Sequence, residues 1–169
     1  MFAAGDKVVC PMHGAGIIEG IENREMDGES KRYYVVSLTT GNMKIMVPAE
    51  IDTPLIRAIT SAEEAAKLVR SIHDMETDQN TNWSKRYRDN MDRLKSGDLW
   101  ETARVYKSLI IRNREKTLSA GERKMLHCAK QILVSELTLS LEKEIEEIED
   151  MILSSEERSY KLELEIFNM

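Results

Sequence analysis

The hydrophobic pattern of this chain changes period once, at Ser61, and that change calls for two structural units of different class. Before Ser61, short runs rich in β-branched residues alternate with glycine-bearing turns: KVVC at 7–10, AGIIEGIE at 15–22, KRYYVVSL at 31–38, MKIMV at 43–47 and LIRAI at 55–59. The turns DGES at 27–30 and TTGN at 39–42 place Gly28 and Gly41 where a hairpin needs positive φ. Five strands this short must close on themselves to shelter one face. The pattern therefore predicts a small SH3-like or Tudor-like β-barrel over residues 1–60, a scaffold used mainly for protein or nucleic-acid contact.

After Ser61, apolar residues recur at helical spacing behind distinct start signals. Ser61 and Glu64 form a capping-box pattern, and Ala65, Leu68, Val69 and Ile72 share one face. Asn82 precedes WSKRYRDNMDRLK, Asp98 with Glu101 opens a helix to about Lys116, and Ser119 with Glu122 opens a long final helix. Polar residues 74–82 read as a loop, while Gly97 and the segment 116–122 supply short breaks. The fold class is thus α+β: the barrel, then a compact all-α domain over 61–153 and a tail over 154–169. From about Glu142 the last helix continues as EKEIEEIEDMIL, with Ile145, Ile148 and Ile152 at helical spacing among acids. The core is expected to end there, leaving either an amphipathic extension for a partner or a solvated acidic tail.

The net charge of −6 argues against nucleic-acid binding until it is divided along the chain. Residues 83–130 carry thirteen basic and six acidic groups, net +7; residues 131–169 carry three and eleven, net −8. Within the basic segment, Lys85, Arg86, Arg88 and Arg93 fall in one helix, Arg104, Lys107, Arg112 and Arg114 in the next, and Arg123 and Lys124 just after a helix start. Phosphate is the natural counterpart, and such contacts weaken steeply with salt while carrying little base information. A solvated face, with these cations paired to Asp89, Asp92 and Glu115, is the other reading.

Two readings also apply to Trp83. It shares a helical stripe with Tyr87, Met91 and Leu94, which suits core packing. It also occupies the first turn of a basic helix, where an indole can wedge at a minor-groove step. Trp100 is expected to pack, with Arg104 as a cation–π neighbour.

No catalytic constellation is present, because His13, His73 and His127 lie in different segments without a nucleophile motif. Gly14, Gly16 and Gly20 have the wrong spacing for a dinucleotide fingerprint. Cys10 with His13 and His127 with Cys128 each offer two metal ligands where a structural zinc site needs four, so these are read as packing residues. No metal, cofactor or disulfide is expected. No run approaches the roughly 18–20 apolar residues of a membrane span, and the N-terminus lacks a signal-peptide build, so a soluble cytoplasmic protein is expected.

Several segments carry a family resemblance: GDKVVCPMHGAGIIEGIE at 5–22, MVPAE at 46–50, TNWSKRY at 81–87, LKSGD at 94–98, LSAGERKML at 118–126 and AKQILVSEL at 129–137. In order and spacing the chain resembles the CarD (CdnL) regulators of bacterial RNA polymerase over roughly residues 2–140. The resemblance implies a Tudor-like domain that binds the polymerase β subunit through an edge strand and nearby basic residues, here Arg24 and Lys44, Ile45, Met46 and Val47. The chain departs from the family at Met46, where relatives often carry arginine. The resemblance further implies that Trp83 enters the minor groove at the upstream edge of the melted −10 region. Lys85, Arg86, Arg88, Arg123 and Lys124 then hold phosphates without reading sequence. The expected product is a monomeric, non-enzymatic transcription regulator that stabilises the promoter open complex and joins the nucleoid through the polymerase. The alternative is a protein-interaction adaptor without direct DNA binding.

Overall fold

The computed structural model describes residues 2–49, 56–77, 82–153 and 166–168. Its first part is an antiparallel sheet of β1 (Lys7–Cys10), β2 (Gly14–Met26), β3 (Glu29–Leu38), β4 (Lys44–Pro48) and β5 (Arg57–Ala58), in the order β4-β3-β2-β1-β5. The expected strand at 55–59 is reduced to Arg57–Ala58, and Leu55 lies outside the described residues. Among the described residues β4 and β5 do not pair, so the sheet is open where full closure was expected. It curls instead. Val47 of β4 and Ile56 beside β5 join one cluster with Val8, Cys10, Ile18, Tyr34, Val36 and Leu38, and a bulge between Ile18 and Gly20 helps bend β2.

β2 and β3 run further than their apolar alternation indicates. Every residue from Ile21 to Arg32 is exposed, yet the register continues to Met26 opposite Glu29. The turn explains this: Asp27 (φ 54°) and Gly28 (φ 79°) are both left-handed, which is the type I′ geometry whose twist matches the flanking strands. A backbone ladder, not side-chain burial, carries this projecting ribbon.

The second part comprises α1 (Ala62–Ser71), a 3-10 turn (Ile72–Asp74), α2 (Trp83–Lys95), α3 (Leu99–Glu115), α4 (Ala120–Leu141) and α5 (Ile145–Ile152). Ser61, Asn82, Asp98 and Ser119 each accept a hydrogen bond from the backbone N–H three residues on, a cap contributing about 1 kcal/mol. Glu64 of the expected capping box, and the glutamates at the matching positions of α3 and α4, engage other side chains instead. Glu64 accepts from Trp100 Nε1 at 3.2 Å, Glu101 pairs with Arg93 and Arg104, and Glu122 pairs with Arg86. Trp100 therefore packs against the helical core, as expected, and its indole N–H bonds Glu64.

Between Ile132 and Leu137 every residue of α4 is buried, because the helical core lies on one side and the sheet on the other. The sheet approaches at backbone distance: Ala15 N donates to Ser135 Oγ at 2.8 Å, and a Cβ at Gly14 (φ +105°) would stand 2.8 Å from that oxygen. α4 ends at Glu142, whose φ of 52° is left-handed, so the long last helix is broken there. The expectation that the core stops at this point is corrected. α5 folds back, and Ile148 (0% exposed) and Ile152 join the main helical core. Its acidic face points outward. No helix among the described residues is long and apolar enough to cross a membrane.

Candidate nucleic-acid interface and strand edge

The first turns of α2 and α4 meet at one end of the helical part. Trp83 opens α2, 46% exposed, and its ring stacks on Tyr87 at 5.2 Å and 18°. Its Nε1 donates to Ser119 Oγ at 3.2 Å, the same hydroxyl that accepts from Glu122 N to cap α4. Gly121 lies beside the Tyr87 ring, where an added Cβ would make ordinary contact with Cε2 at 3.4 Å. The stripe reading was thus right about Leu94, which is buried, and incomplete about Trp83. A first-turn residue overhangs the bundle, so the indole is fixed at the surface instead of being enclosed.

Beneath this tip lies a buried ion pair. Arg86 (4% exposed) donates through Nε at 3.0 Å and Nη2 at 3.1 Å to the two oxygens of Glu122 (2% exposed), and Arg112 Nε lies 3.9 Å from the same carboxylate. Arg86 as a phosphate contact is therefore corrected: its guanidinium ties α2 to α4 inside the fold. Lys85, Arg88, Arg123 and Lys124 are exposed, as a phosphate-binding role requires. Arg123 Nη1 also donates to Leu118 O at 3.2 Å, which holds its side chain near the cap of α4. Two adjacent helix N-termini add partial positive charge, so the tip favours anions beyond its side chains.

The strand edge lies at the other end of the sheet. Leu38 N donates to Met43 O and Ala49 N to Arg32 O, so the odd-numbered residues of this stretch hydrogen-bond to β3. The N–H and C=O groups of Lys44 and Met46 consequently point away from the sheet, and β4 has no further neighbour among the described residues. The side chains of Lys44 and Met46 are exposed, Lys44 pairing with Glu19 at 3.1 Å. Ile45 and Val47 belong to the core, Val47 fully and Ile45 at its margin, so their side chains do not form a contact surface. Arg24 lies on the exposed ribbon opposite Lys31, with a solvated 3.5 Å contact to Glu22.

A separate cleft of about 710 Å³ gathers Arg70, Arg93, Arg104 and Trp100, but Asp74 and Glu76 also line it and Glu101 already holds two of its arginines. Burial pushes the Cys10 thiol up to about 11 and raises that of Cys128, whose Sγ lies 3.7 Å from Met12 O. Both cysteines are free thiols, and no group of three or more metal-ligating side chains occurs among the described residues. Glu122, which holds Arg86, and Ser119, which accepts from Trp83, each lie 36 residues away in the chain, so no local pattern announces these two contacts.

Residues 2–60 match the family model described as the CarD-like/TRCF RID domain, and residues 67–153 match that of the CarD C-terminal domain. A relative in Bacillus subtilis, described as "Putative transcription factor YdeB", is 40% identical over 138 residues, covering 81% of this chain and 90% of its own length. An open-edged sheet fixed to a cation-tipped helical unit, with these matches, defines the class of the protein as a transcription factor. The chain belongs to the CarD family.

Proposed function

We propose that the protein holds the β subunit of RNA polymerase at the β4 edge and Arg24 while the α2–α4 tip engages promoter DNA. In this reading the two halves act together. A strand of the partner adds to the outward N–H and C=O groups of Lys44 and Met46, and Lys85, Arg88, Arg123 and Lys124 neutralise phosphates. Trp83 wedges at the upstream edge of the melted region and favours the open complex over the closed one. About 1.4 kcal/mol of such preference shifts that equilibrium tenfold.

The observation that carries this reading is an exposed indole held from two sides, by Tyr87 and Ser119, beside the capped starts of two helices. A ring already immobilised loses little rotamer freedom on insertion. Its cationic surroundings supply affinity without sequence preference, so tethering to polymerase confines a weak DNA binder to promoters.

Trp83→Ala is expected to shorten open-complex lifetime roughly tenfold while polymerase pull-down stays intact. Arg24→Glu should instead weaken the pull-down. With four phosphate contacts, the logarithm of DNA affinity should fall against the logarithm of salt with a slope of about −3 to −4. An unchanged lifetime in Trp83→Ala would remove the wedge. A salt-independent complex would favour an adaptor that does not touch DNA.

A further inference from the structure

The segment joining the sheet to the helices has the position of a hinge, yet it is fastened along its length. Arg57, on β5, donates Nη1 and Nη2 to the two oxygens of Glu136 at 2.8 and 2.7 Å, and its Nε to Gly97 O at 2.8 Å. Glu136, on α4, is fully buried and also accepts from Thr60 N at 2.9 Å. Thr60 O in turn accepts from Ser140 Oγ at 2.9 Å. One arginine thus ties the sheet both to α4 and to the turn between α2 and α3, where Gly97 has φ +73° and Pro11 packs against it.

We infer that Arg57 and Glu136 are positioning residues: their clamp, a buried carboxylate held by a partly exposed guanidinium, sets a single orientation between the β4 edge and the Trp83 tip, and that fixed reach is needed for activity at the promoter. This rests on the two-surface reading proposed above. Apolar packing alone is a poor guarantor of orientation, because slightly rotated interfaces bury similar area. A bidentate guanidinium–carboxylate pair is directional. Its carboxylate is also stranded without partners if the parts swing apart, so open geometries are disfavoured strongly. The hydrogen bonds to Thr60 and Gly97 make the pair a junction of three segments.

The test uses the full chain carrying Arg57→Met with Glu136→Leu, which removes both charges and keeps an apolar contact. Pulsed electron–electron resonance between spin labels at Ser30→Cys on the ribbon and Asn113→Cys on α3, in a Cys10→Ala, Cys128→Ala background, reports orientation. The parent is expected to give one narrow distance distribution and the clamp variant a broadened one. The variant should bind polymerase and forked DNA separately as the parent does, while its open-complex lifetime shortens on the order of tenfold. A broad distribution in the parent overturns the inference, even if the double variant fails to fold. So does an unchanged distribution or an unchanged lifetime in a folded variant. Failure of the two-surface reading registers elsewhere, as a Trp83→Ala chain whose lifetime equals that of the parent.

Discussion

Replacing Glu122 with alanine tests whether the α2–α4 tip is organised from within. Arg86 is 4% exposed and loses both of its hydrogen bonds to that carboxylate, and Arg112, 3.9 Å away, loses the same acid. Breaking a buried pair from one side costs about 3–5 kcal/mol, because a charge remains in a poorly solvating site. For a chain of this size each kcal/mol moves Tm by roughly 2–4 °C, so Glu122→Ala should melt some 6–20 °C below the parent by calorimetry. The double variant Arg86→Met with Glu122→Leu leaves neither of these two charges buried and should recover most of that loss. If Glu122→Ala melts within about 2 °C of the parent, the pair does not carry the packing assigned to it. If Arg86→Ala lowers DNA affinity with no change in Tm, Arg86 is a surface phosphate ligand after all.

Two further outcomes follow from burial. Ile148→Ala should cost about 2–5 kcal/mol in urea unfolding, since Ile148 is fully buried in the main core, whereas a solvated tail would tolerate it within about 0.5 kcal/mol. Burial keeps the Cys10 thiol protonated in the folded chain up to about 11, while the unfolded chain ionises near 9.0. Its stabilising effect is therefore complete below pH 9.0 and lost as pH rises towards about 11. Comparing pH-dependent stability of the parent and Cys10→Ala checks this, and parallel curves across that window would refute it.

Much of the architecture is legible in the sequence because its signals are local. Period, turn glycines and N-caps depend on residues one to four apart, so β1, the β2–β3 hairpin and the helix caps at Ser61, Asn82, Asp98 and Ser119 are readable directly. What escapes the sequence depends on distant partners. Glu64 and Glu122 carry a capping-box spacing but spend their carboxylates on Trp100 and Arg86, each 36 residues away. Arg86 looks like its exposed neighbours Lys85 and Arg88 until α4 is placed beside it. α5 is misread for a related reason, since its acidic composition describes its outer face and the left-handed turn at Glu142 that folds it back has no glycine to mark it. Of the candidate interface, Trp83, its stripe neighbour Tyr87 and four cations are readable in the sequence, but not the Ser119 hydroxyl contact that helps orient the indole.

Pro48 gives the β4 edge one more property. It has no N–H, and Lys44 and Met46 supply the outward donors before it, so an incoming segment meets a ladder only two rungs long on its donor side. Sliding such a segment by two residues forfeits half of those donors. Under the proposed strand addition, imino-acid chemistry would dictate the alignment at one end, and so short a ladder would make the grip readily reversible unless other surfaces reinforce it.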